Sequence, residues 1–157
     1  MSGQTTDRVA RSGAWYALVA SVACLATASH VGGQGVDTTI TIRAFSSTLE
    51  FVPARISVKS GTRLRLRFSN EGTYPHNFVL PKREDDIDEL AAAAAQAGES
   101  GFIPAVMRSK LIAYTRLVGP GETGEVTFVV PAPGTYTFVC LFPGHAATML
   151  GTLRALR

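Results

Sequence analysis

Cysteine, histidine and methionine are all scarce in this chain: two, three and three among 157 residues. Two cysteines cannot staple a disulfide-dense scaffold or build a four-cysteine zinc module. Charge is also thin, at 17% against about 25% in an average soluble domain. The 46% hydrophobic content excludes an intrinsically disordered chain, which pairs high charge with few apolar side chains. The net charge of +3 comes without a polybasic block, so no nucleic-acid partner is implied. No apolar run reaches the ~20 residues that a membrane-spanning helix needs. A length of 157 residues suits one domain, with or without a processed end.

The longest apolar stretch lies near the start. Arg8 and Arg11 precede a run from Ala14 to Ala28, which closes on the small-residue site Ala26-Thr27-Ala28. A basic start, a short apolar core and a small-residue exit form a secretory-signal pattern. Residues 1–28 are expected to be a cleaved signal or a retained N-terminal anchor, 29–37 a flexible linker and 38–157 the folded domain. Lipid attachment at Cys24 is a third route, opposed by Ser21 where a large aliphatic residue is expected. The protein is thus expected to be exported and periplasmic, meeting a membrane only through an uncleaved or lipidated N-terminus. Cleavage after Ala28 would leave Cys140 as a lone thiol in an oxidising compartment, either buried or claimed by chemistry.

Short alternating segments fill the rest. Thr38 to Ala44, Arg55 to Lys59 and Thr62 to Phe68 alternate polar with apolar residues. In the third, Leu64, Leu66 and Phe68 share one face and three arginines the other, the signature of a half-buried strand. Segments 77–80, 126–130, 136–140 and 151–156 continue the series, and Pro131-Ala132-Pro133-Gly134 marks a turn. The arginine stripe reads as a solvated sheet face. Acidic residues 84–89 followed by Leu90 and five alanines predict one helix, started by carboxylates that suit its dipole and ended at Gly98. Many strands and one helix imply an all-β sandwich carrying an excursion.

Chemistry concentrates in Cys140-Leu141-Phe142-Pro143-Gly144-His145-Ala146-Ala147-Thr148-Met149. Thiolate, imidazole and thioether are soft or borderline donors, and a Cys-His-His set with a long axial Met is the blue-copper arrangement. Pro143-Gly144 lets the loop turn tightly enough for its donors to converge. A second imidazole must come from elsewhere. His30 lies beside the expected cleavage site, which leaves His76, just before the strand beginning at Asn77. A histidine in that position is ordinarily a plain surface residue, but here the loop demands one more ligand.

The segments His76 to Leu80, Leu111 to Gly119 and Cys140 to Leu153 together resemble the cupredoxins, in their azurin-like and auracyanin-like branch. The resemblance spans roughly Thr38 to Arg157. It implies an eight-stranded Greek-key β-sandwich with an inserted helical flap, and one copper ion cycling between Cu(II) and Cu(I). It implies His76, Cys140 and His145 as ligands, with Met149 as a weak axial thioether. It also implies a role for Asn77 and Phe142, whose backbone N–H groups would bond the cysteine sulfur. Pro143 and Ala147 match the apolar patch through which electrons pass. Pro75 stands where azurin has a glycine whose carbonyl approaches copper from the other axial side. The cysteines of the usual azurin disulfide are missing.

The function implied is one-electron transfer by a monomer that docks transiently with a donor and an acceptor near His145. A copper storage or delivery protein is the alternative, though it would expose clusters of Met or His. A copper enzyme would need a second metal site, and the two histidines of the mature chain, His76 and His145, cannot build both.

Overall fold

Alternation in the sequence becomes two facing sheets. The computed structural model describes residues 35–45 and 48–157. The signal or anchor (1–28) and most of the linker (29–37) lie outside the described residues. Strands β1 (Thr38–Phe45), β2 (Arg55–Lys59), β3 (Arg63–Glu71) and β4 (Val79–Pro81) come first, followed by helix α1 (Ile87–Ala94). Strands β5 (Leu111–Tyr114), β6 (Thr123–Val129), β7 (Gly134–Val139) and β8 (Leu150–Leu156) complete the set. One sheet has the order β1-β3-β6 and the other β2-β8-β7-β4-β5. β1 runs parallel to β3 and β2 parallel to β8, while the remaining pairings are antiparallel.

The sheets meet through their alternate residues. Ile42, Leu64, Leu66, Phe68 and Phe128 of the first sheet pack against Ile56, Leu80, Phe138 and Leu153 of the second. Phe51 stands edge-on between Phe68 and Phe138, with ring centroids 5.7 and 5.1 Å away. Burying each such ring contributes roughly 1.5–3 kcal/mol. Arg65 and Arg67 of the arginine stripe do face solvent, where Arg67 pairs with Glu125 at 2.8 Å, while Arg63 is half-buried. Asp37, the last residue of the expected linker, already belongs to this framework, since its carboxylate accepts from the Arg63 N–H at 2.7 Å.

A second apolar cluster explains why β4 is buried on both faces. Val79, Leu111, Val139 and Leu141 turn outward from the five-stranded sheet and are covered by Leu90 and Ala94 of α1, with Ile103 and Met107. The helix is shorter than the alanine run predicts. It begins after a tight turn at Glu84–Asp86 and ends at Ala94, well before Gly98, which opens another short turn. The left-handed conformation falls on Gly101 (φ 66°), where a Cβ would press on the Leu117 backbone, and on Phe102 (φ 62°) beside it. Strand β5 carries no clean alternation and went unpredicted, because Leu111 and Ala113 serve different apolar layers. Among the described residues no helix is long and apolar enough to cross a membrane.

Candidate metal centre

Two separate segments meet at one end of the sandwich. The first leaves β3 at Glu71 and returns to β4 through His76. Asn70, fully buried, shapes that return: its side-chain amide donates to the carbonyls of Tyr74 (2.8 Å) and Val118 (2.9 Å) and its oxygen accepts from Gly72 N–H. His76 is then held by a two-way backbone bridge with Val118, at 3.0 and 2.7 Å. Thr115, also buried, accepts the Phe78 N–H on its hydroxyl at 3.0 Å.

The second segment joins β7 to β8. Cys140 N–H donates to the Met149 carbonyl at 3.1 Å, closing the base of the loop. Within it, His145 N–H donates to Phe142, while Thr148 and Met149 N–H both donate to the His145 carbonyl. Gly144 takes a φ of 82°, a conformation a side chain would resist. Asn77 stitches the segments together, accepting the Leu141 N–H at 2.8 Å and donating to the Gly101 carbonyl at 3.1 Å.

These constraints bring three donor atoms into one triangle. Cys140 Sγ lies 3.8 Å from His76 Nδ1 and 3.7 Å from His145 Nδ1, and the two nitrogens are 3.1 Å apart. A point equidistant from such atoms lies about 2 Å from each, close to the length of a bond from a first-row metal to imidazole or thiolate (~2.0–2.3 Å). All three residues are buried. Burial and the neighbouring His145 lower the His76 pKa to about 4, and burial lowers that of His145 as well. Both imidazoles are therefore neutral at pH 7, the form that binds metal. Burial pushes the Cys140 thiol up to about 11, against the pull of backbone N–H groups of Asn77 and Phe142 on its sulfur. A thiol so placed gives up its proton to a cation that replaces it, not to water. The donor set fits a soft, low-coordinate metal site, and among first-row ions copper suits it.

The family described as "Copper binding proteins, plastocyanin/azurin family" matches residues 38–155. The chain belongs to that family. Blue copper proteins of this kind transfer electrons, and its metal is copper. Auracyanin-B of Chloroflexus aurantiacus is 37% identical over 129 residues, which are 80% of this chain and 55% of that protein. The chain thus spans little more than half of that relative's length. Azurin iso-2 of Methylomonas sp. (strain J) is 32% identical, over 75% of this chain and 95% of the relative. The solved structure of auracyanin A from Chloroflexus aurantiacus superposes with a TM-score of 0.71 at 36% identity, covering 75% of this chain and 98% of that one.

The other residues expected at the site lie on the same two segments. Met149 is fully buried at the end of the ligand loop, and Pro75 is half-buried immediately before His76. Pro143 and Ala147 are exposed on the loop surface on either side of His145, which keeps 7% exposure. Cys140 is free and buried, without a disulfide. Sequence reading passed over Asn70 and Thr115. An asparagine near the end of a strand reads as a turn residue and a threonine just past a strand as a filler, so neither signals a buried polar clamp.

Proposed function

We propose that this protein is a one-electron carrier whose one copper ion would be held by His76, Cys140 and His145, with the Met149 thioether and the Pro75 carbonyl as weaker donors. The observation that supports it most is the buried triangle of one sulfur and two neutral imidazoles. Bound copper supplies a reversible Cu(II)/Cu(I) couple. The chain's own contribution is to keep the donors still. His76 is locked by the Val118 bridge, Cys140 by the Met149 carbonyl, and the two segments by Asn77. Little then has to rearrange when an electron arrives. Backbone N–H groups of Asn77 and Phe142 stabilise negative charge on the sulfur and help set the potential. Burial of Cys140 keeps water from it.

His145 is the exit. It keeps 7% exposure, and Pro143 and Ala147, two residues to either side of it, are exposed, forming a small patch on which a redox partner docks weakly and leaves quickly. The protein acts as a monomeric carrier and not as an enzyme, and it works after export to the periplasm, as Arg8, Arg11 and the apolar run to Ala28 suggest. Purified protein given Cu(II) is expected to turn intensely blue or green and to bleach reversibly with reductant. A colourless copper-loaded protein would overturn the reading. Intact mass after expression with export decides whether residues 1–28 are removed.

A further inference from the structure

Helix α1 lies beside the ligand loop, and a groove of about 290 Å³ runs between them. Its walls are Asp88 and Ala91 from the helix and Gly144, Ala146 and Ala147 from the loop. Asp88 is exposed, and among the described residues no cation pairs with it. Two cations of the helix region are engaged with other carboxylates: Lys110 with Asp86 and Glu89, Arg83 with Asp85. In a chain of net charge +3, this leaves a local uncompensated negative charge in the groove that borders Ala147.

We propose that this groove sets partner specificity, by taking a lysine or arginine side chain of the redox partner against the Asp88 carboxylate while the partner covers Ala147. The inference rests on the carrier reading and adds the chemistry of the partner to it. The groove walls decide the occupant. Gly144 and the alanine methyls give an anion no side-chain donor, and the one charged wall repels it. A lysine or arginine has an apolar stem that packs on Ala91, Ala146 and Ala147 while its charged head reaches the carboxylate. One such rim contact changes association and its salt dependence more than affinity. Asp88 is then a specificity residue, well suited to a partner whose exposed cofactor edge is ringed by basic side chains.

The test uses the reduced, copper-loaded full chain and two oxidants of opposite charge, tris(phenanthroline)cobalt(III) and hexacyanoferrate(III). Each takes one electron from the Cu(I) protein, which becomes Cu(II), with no proton moved. At low ionic strength, Asp88→Asn should slow oxidation by the cobalt cation about three- to fivefold, the size expected of one charge facing a trivalent ion across partly screened water. Oxidation by hexacyanoferrate should not slow, and Asp88→Lys should widen both differences. Glu125→Gln removes the same charge on the other sheet and should move neither rate as far. Lysine-rimmed ferricytochrome c should follow the cobalt pattern, with a rate that falls as salt rises. Equal effects of Asp88→Asn and Glu125→Gln, or no effect of either, would overturn the proposal. The visible spectrum, recorded first, keeps the carrier reading separate: a colourless protein would refute that reading before any rate was measured.

Discussion

At Cys140 one sulfur feels opposing influences: burial favours the neutral thiol, and two backbone N–H groups favour the thiolate. Metal tips the balance. Cys140→Ser should therefore abolish the intense colour with copper while the sandwich stays folded, since Cys140 contributes little volume to a core made of Phe, Leu and Ile. Absorption and circular dichroism read the two outcomes separately, and persistent strong colour would discard Cys140 as a ligand. Met149→Leu should keep the colour and raise the reduction potential, because losing an axial donor disfavours Cu(II) relative to Cu(I). Voltammetry measures it, and a lowered potential would remove Met149 from the site.

Elements matter here through how closely they approach. Gly151 in β8 lies under the Phe138 ring of β7, and a Cβ there would run into that ring and stand 2.8 Å from the Ala54 carbonyl. Gly151→Ala should therefore destabilise the protein by about 1–3 kcal/mol, the ordinary cost of overpacking, with the larger effect if β2 must also shift. Urea unfolding checks it, and an unchanged midpoint would mean the two strands have slack. The same closeness holds the ligand loop, because β7 and β8 are the strands it joins. Helix α1 covers Val79 of β4, Leu111 of β5 and Val139 at the end of β7, so the flap belongs to the site's support as well as to its rim.

For the molecule as a whole, the metal-free site carries a pH signature. Unfolded, His76 takes a proton near pH 6.5, whereas in the folded apoprotein it does so only near pH 4. Between these values the unfolded state holds more protons, so stability rises with pH and is lost as pH falls from about 6.5 toward 4. The loss should be on the order of 1–3 kcal/mol, seen as a falling urea midpoint of the apoprotein. His76→Gln should flatten that dependence. A flat profile in the unmodified apoprotein would mean that His76 is hydrated when metal is absent.

Much of this protein is written locally. Period-two patterning marks the faces of β1, β2 and β3, because a strand's side chains alternate whatever surrounds it. Cys140, His145 and Met149 lie on one short loop, so their spacing already points to copper, and scarcity of histidine singles out His76. Other features arise only between distant segments. Sequence patterning alone missed β5, because its residues serve two apolar layers that exist only once the flap has docked. Asn70 and Thr115 became clamps across the fold through the distant Val118 carbonyl and Phe78 N–H that they satisfy, and an unpaired buried amide is costly. The helix stops at Ala94 although alanine continues, since past that point no face remains to be buried against the sheet. Nor does anything near Asp88 in sequence foretell that it borders Ala147. That neighbourhood is made by packing, and packing is decided by the whole core.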